Sequence, residues 1–169
     1  SSDGGSAATV GPFNAVTGQL ILITASLDQN SQPYVACTIS NDGTALSWTT
    51  VVNAGAADTG TVAAFYTHLA ADRTNLAVTI TRGDINRDSP CVKAWLLTDH
   101  DSADILGAAT NATSTTENLT SASITPETSG VGFGVGTDYT QSGAPTSSDL
   151  TNVVTFDISG DISAIHGHK

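Results

Sequence analysis

Positive charge is scarce in this sequence. Its 169 residues hold 5 Lys and Arg against 16 Asp and Glu, a formal net charge of −11. Methionine is absent, cysteine occurs twice and aromatic residues make up only 5%. All charged residues together reach 12%, about half of the ~25% common in soluble domains. The acidity therefore comes from missing bases. Each shortage excludes something. Five scattered cations cannot form the basic stripe that meets phosphate in a nucleic-acid complex, and an anionic membrane surface repels the chain for the same reason. No run approaches the ~18 apolar residues of a membrane-spanning helix. The opening residues Ser1-Ser2-Asp3-Gly4-Gly5 carry neither the cationic nor the apolar part of a signal peptide, so a soluble protein without a visible address is expected. Cys37 and Cys91 stand far apart with no Cys-x-x-Cys and no adjacent histidine, which leaves no zinc pattern. A disulfide requires the strands that carry them to be neighbours. Two buried apolar side chains is the simpler reading.

What is present is Thr, Ser, Ala, Gly and Asp, a strand-and-turn alphabet poor in the long side chains that populate helices. Only Glu117 and Glu127 are glutamates. With 39% hydrophobic residues the chain can fill one core, and its length fits one domain. Residues 19–27 form a short apolar, β-branched run between Gly18 and Asp28, which reads as a strand buried on both faces. Further strands are expected at 34–40 and 48–52, with Asn41-Asp42-Gly43 marking a turn after the first. Residues 61–69 and 76–82 read as a pair joined through Ala71-Asp72-Arg73-Thr74. In the second of these, Leu76, Val78 and Ile80 alternate with Ala77, Thr79 and Thr81, one face inward and one outward. Strands at 91–98, 119–125, 131–139 and 150–158 complete the pattern. Short strands with turn signals between them and no helical periodicity predict an all-β antiparallel β-sandwich over residues 18–158. Residues 1–17 are expected to form an extended N-terminal arm and 159–169 a C-terminal tail.

Several of these segments, in this order, carry a resemblance. They are Gly18-Gln19-Leu20-Ile21-Leu22-Ile23-Thr24-Ala25-Ser26, Asp42-Gly43 followed by Trp48 and Val51-Val52, the Phe65-Tyr66 and Val78-Thr79-Ile80-Thr81 strands, and residues 92–98 with the following loop 99–107 and the late strand 131–137. Together they resemble jelly-roll or immunoglobulin-like β-sandwich structural proteins of tailed bacteriophages, with Gln19 in place of the usual Asp. The resemblance implies a jelly-roll-like sandwich, with an immunoglobulin-like one as the alternative. It implies a non-enzymatic virion component, a capsid decoration (cement) protein on the outer capsid surface. The major capsid protein would be its partner, in a homo-oligomer such as a trimer around a threefold axis. A carbohydrate-binding or adhesion module of a phage tail or secreted bacterial protein is the alternative function.

Candidate chemistry is sparse. Asp84-Ile85-Asn86-Arg87-Asp88 has the spacing that opens a calcium loop, but Ser89 stands where the sharp turn wants Gly and Trp95 where a bidentate Glu closes the shell. Asp99, His100, Asp101 and Asp104 cluster on one loop that alone cannot complete a metal shell. His166 and His168 fit a docking tail better than a chelate. Gly132-Phe133-Gly134-Val135-Gly136 lacks the last glycine of a phosphate loop and reads as a strand. Asn111-Ala112-Thr113 and Asn118-Leu119-Thr120 would accept glycans only in a secretory pathway. The two glutamates sit in loop contexts without a nominated partner, and no Gly-x-Ser-x-Gly elbow exists. No catalytic residue, cofactor or metal is therefore expected. With so few bases, partner contacts fall to apolar groups and the rare cations: Pro12, Phe13, Arg73, Arg82, Arg87 and Ile165 are the candidate capsid-contact residues. Tyr34, Tyr66 and Tyr139 are the aromatics left for stacking against a sugar.

Overall fold

The computed structural model describes residues 7–27, 36–56, 60–82, 91–98, 133–138, 151–158 and 162–168. These form ten strands: β1 (Ala7–Ala15), β2 (Leu20–Leu27), β3 (Cys37–Asn41), β4 (Thr49–Ala56), β5 (Gly60–His68), β6 (Arg73–Arg82), β7 (Cys91–Leu97), β8 (Phe133–Asp138), β9 (Thr151–Ile158) and β10 (Ile162–His168). All described pairings are antiparallel and no helix occurs among the described residues. Three strands in the order β1-β6-β3 face four in the order β4-β5-β2-β7, which is a β-sandwich. The adjacencies β4-β5-β2 and β6-β3 are those of strands D-E-B and F-C in an immunoglobulin-like sandwich, with the first and seventh strands on exchanged edges. A third sheet, β8-β10-β9, brings β8 against β5 and β2.

Alternation decides what is buried. On β6, Leu76, Val78 and Ile80 point inward at 3%, 0% and 0% exposure, as their period of two predicts. They meet Ile21, Ile23 and Ala25 of β2 and Ala63 and Phe65 of β5 in one core. The other face of β2, Leu20, Leu22, Thr24 and Ser26, is buried as well. Trp95 of β7 donates from Nε1 to Thr24 Oγ1 at 3.0 Å, and its ring meets Phe133 of β8 edge-on at 5.4 Å. The apolar run at 19–27 therefore has the two buried faces read from its composition. Full burial of each β2 isoleucine contributes about 1.5–3 kcal/mol.

Three expectations change. Residues 61–69 and 76–82 do not pair: β5 joins β4 and β2, whereas β6 joins β1 and β3, so the connection crosses from one sheet to the other. The residues between them tie to the β1–β2 turn instead. Gly18 N donates to Leu69 O, Leu69 N donates to Gln19 O, and Thr17 bonds Asp72. The segment 1–17 also supplies more than an arm, because its residues Ala7–Ala15 run along β6. Gly11-Pro12 interrupts the strand pattern in sequence, and in the fold these two residues form a bulge opposite Ala77 alone. Val10 and Phe13 on either side still reach the core. At the other end, Ile162–His168 of the expected tail is β10, paired with β8 and β9.

The two sandwich sheets are stitched along one edge by a side chain. Asn53 of β4 accepts from Cys37 N at 3.1 Å and donates to Cys37 O at 2.8 Å, satisfying both backbone groups of Cys37 on edge strand β3. Asn53→Ala leaves a part-buried donor and acceptor unmatched and is expected to cost about 2 kcal/mol, read as a lower urea midpoint at constant m-value. A loss within experimental error of zero shows that water replaces the amide.

Cys37 and Cys91 carry thiols rather than a disulfide, and both are 4% exposed. Register explains it. Cys37 belongs to the core between the sheets, whereas Cys91 lies opposite Ser26 on the outer face of β2 and β7. Burial pushes the Cys91 thiol up to about 11. In the unfolded chain a thiol titrates near ~8.5. The folded state thus holds its proton longer, and the stability it contributes is full below ~8.5 and lost as pH rises toward 11. The unfolding free energy read from urea titrations is expected to fall over that window by at most ~1.4 kcal/mol per pH unit, and to fall less in Cys91→Ala. Parallel curves for the two proteins refute the assignment.

Candidate functional site

One end of the sandwich gathers polar groups from two turns. After β3 the chain bends through Asp42, Gly43 and Thr44, and Gly43 takes φ +66°, which glycine adopts without strain. Asn41 builds this bend: its Nδ2 donates to Asp42 O and Thr44 O, and its Oδ1 accepts from Leu46 N. Asp42 continues the β3–β6 ladder by one residue, with its backbone N donating to Ala77 O at 3.1 Å. Its carboxylate Oδ1, in place of a backbone carbonyl, accepts from Ala77 N at 2.8 Å. The strand edge stays satisfied while the chain turns away.

The facing wall comes from the start of β6. Asp72 Oδ1 accepts both the backbone N–H and the hydroxyl of Thr17, each at 2.8 Å. These two bonds hold its carboxyl below the usual carboxylate range. Asn75, at φ +55°, bulges from β6, and its N–H donates to Asn14 Oδ1 at 2.9 Å. Between the walls lies an open cleft of about 210 Å3 lined by Asp42, Gly43, Thr44, Asp72, Arg73, Thr74 and Leu76. Arg73 is half-buried, and its Nε is sealed from solvent without a hydrogen-bond partner.

Among the described residues, those expected to touch a partner are not gathered on one surface. Pro12 is exposed on β1. Phe13 packs against the core opposite Leu76, so its ring serves the interior. Arg73 lines the cleft. Arg82 is 2% exposed at the inward end of β6, where burial removes it from any outer contact. Arg87 lies outside the described residues. Ile165 lies within β10, paired with Gly136 and Thr155. Of the other candidates, Asp84 to Asp88, Asp99 to Asp104, Glu117, Glu127, both sequons, Tyr34 and Tyr139 also lie outside the described residues. Residues 133–138 are a strand, as alternation predicted, and His166 and His168 belong to β10. Tyr66 is half-buried on β5.

Comparison with protein-family models, curated proteins and solved structures returns no match. The cleft must be interpreted from its own chemistry. In the sequence Asp42 and Asp72 read as turn residues, because an Asp beside Gly, or in a strand connection, marks a turn first. Both occupy strand ends that converge only once β3 and β6 pair. No group of three or more potential metal ligands occurs among the described residues.

Proposed function

We propose that this chain is a non-enzymatic virion structural protein, a decoration protein that binds the outer surface of a tailed-phage capsid and stabilises it. The observation that supports this reading best is the outer face of the β1-β6-β3 sheet. Register puts Ala7 and Thr9 of β1, Ala77, Thr79 and Thr81 of β6, and Thr38 and Ser40 of β3 on that face. All are short and uncharged. Thr9 and Thr79 share a hydroxyl hydrogen bond at 2.8 Å, and Thr38 Oγ1 donates to Thr81 O at 3.3 Å. Such side chains lose little rotamer freedom when a partner covers them. In a chain of net charge −11, a neutral plane is where a subunit of the shell docks without burying unpaired carboxylates. The remaining acidic surface then faces solvent and keeps particles apart. The partner in this reading is the major capsid protein, and self-association into trimers orders several copies around a threefold axis.

Co-sedimentation with capsids stripped of the protein tests it. Saturable uptake is expected, weakened at least tenfold in a Thr38→Arg, Ser40→Arg double variant whose melting temperature matches the parent. Shells that take up no protein, or that take up the double variant equally well, refute the reading.

A further inference from the structure

We infer that Asp42-Gly43 is a site of spontaneous covalent modification, where the folded chain converts the Asp42 linkage to isoaspartate through a succinimide, whether or not the shell role holds. Three groups that the reaction needs meet in the turn after β3. The nucleophile is Gly43 N. It is exposed, donates to no acceptor among the described residues, and belongs to a residue without a side chain, with nothing within 4 Å of the place a Cβ would take. The electrophile is Asp42 Cγ. Its Oδ1 accepts from Ala77 N at 2.8 Å, whereas Oδ2 has no donor among the described residues and is free to leave from an exposed side chain. The third group is the Asp42 main-chain carbonyl, whose oxygen accepts from Asn41 Nδ2 at 2.7 Å. Each carbonyl carbon that must be attacked therefore has a fixed donor on its oxygen.

In the first step Gly43 N bonds to Cγ of the protonated Asp42 carboxyl and closes the succinimide ring. The bond from Cγ to Oδ2 breaks, and Oδ2 leaves as water with the carboxyl proton and the proton from Gly43 N. Charge that builds on Oδ1 is met by Ala77 N–H. In the second step water adds to a ring carbonyl. Asn41 Nδ2 polarises the Asp42 main-chain carbonyl and favours addition there. The bond from that carbon to Gly43 N breaks, the nitrogen takes a proton from the water, and the hydroxyl stays on the carbon as a carboxyl. Water is released once and consumed once, so the net change is an isomerisation without a change in mass. Oδ1 then becomes a main-chain carbonyl oxygen suited to Ala77 N, and the freed α-carboxylate is an acceptor for Asn41 Nδ2. Neither donor is orphaned, which lets the sheet edge tolerate the product. Asp72, the other carboxylate of the cleft, is followed by Arg73, whose side chain crowds the nitrogen that would attack.

Ageing of the full chain at physiological temperature and neutral pH, beside a peptide of residues 38–48, tests the inference. Peptide mapping with electron-transfer fragmentation reads the linkage at each aspartate, which also separates Asp42 from the same dipeptide at Asp3-Gly4. When the peptide reaches its plateau, position 42 of the folded chain is expected to hold at least half of the peptide's isoaspartate fraction, with Asp72 unchanged. Gly43→Ala is expected to slow the conversion about tenfold, because the methyl group crowds the nitrogen. In 18O-labelled water each ring opening leaves one label, so labelled isoaspartate against labelled aspartate gives the partition of the succinimide. Asn41→Asp keeps the acceptor for Leu46 N and removes the donor to Asp42 O. In that variant, folded by its cooperative melting curve, the partition is expected to move toward aspartate. Three results overturn the inference: less than half of the peptide's fraction at position 42, an undiminished rate in Gly43→Ala, or a parental partition in folded Asn41→Asp. Capsid binding is read separately by co-sedimentation, so either proposal can fail alone.

Discussion

Gly11→Ala is expected to destabilise the protein by about 3 kcal/mol, a drop in melting temperature of roughly 6–12 °C at this chain length. Two independent effects add. Gly11 sits at φ +126°, where an L side chain is strained. A Cβ there would also stand 2.5 Å from Leu76 O and 2.9 Å from Ala77 Cα. Both obstacles are backbone of β6, the strand that β1 and β3 share, so relief requires opening the bulge and pulling β1 away. Gly43→Ala provides the comparison. That glycine also has positive φ, at +66°, but nothing lies within 4 Å of the added carbon, so only the conformational cost of ~1 kcal/mol is expected. Thermal unfolding of the two variants side by side separates strain from collision. Equal losses would mean that β1 shifts freely on β6 and that the bulge is not locked.

Phe65→Ala is expected to cost about 3–5 kcal/mol. The ring is 3% exposed in the core and lies opposite Ile23 across the β2–β5 ladder, with Thr50 opposite on β4. Its removal opens a cavity between the sheets at the strand that joins β4 to β2. Those neighbours are held in register by backbone hydrogen bonds and cannot close the space. Against a total stability of ~5–15 kcal/mol, this loss is a large part of the whole. The urea midpoint falls accordingly, with the m-value unchanged if the unfolded state is unaltered. Phe65→Leu, which refills most of the volume, is expected to recover more than half of the loss. An alanine variant that loses less than about 1.5 kcal/mol would show that the interior is looser than its burial implies.

The sandwich was legible where composition and burial coincide. Residues 19–27 had too many β-branched and apolar side chains for a strand with one wet face, and β2 is buried on both. The alternation over 76–82 gave the inward set of β6 correctly. Register and partner choice were not legible, because they depend on contacts between distant segments. The β5 and β6 segments looked like a hairpin in sequence, since nothing in Asp72-Arg73 tells a turn within one sheet from a crossing between two. β1 was hidden for a chemical reason: Gly11 and Pro12 are strand breakers unless a bulge accommodates them, and that bulge exists only opposite Ala77. The cleft was hidden in a similar way. Asp42 acts as a surrogate backbone carbonyl and Asp72 as an anchor for Thr17, roles defined by the other partner. Charge alone predicts an outer position for Arg82, yet its even position on β6 places it with Leu76, Val78 and Ile80 on the inward face.

The twice-buried β2 also bears on how the molecule reaches its fold. Its partners arrive late in the chain: Leu20 stands opposite His68 on one side and Leu97 on the other. This inner strand of the four therefore has no local hairpin to start from, and its two ladders close large loops before they are rewarded. Folding in milliseconds to seconds is the expected regime for such non-local pairing. The amides of Ile21, Ile23 and Ala25, locked between two late-arriving strands and beneath a further layer, are then the last to exchange with deuterium once the structure has formed.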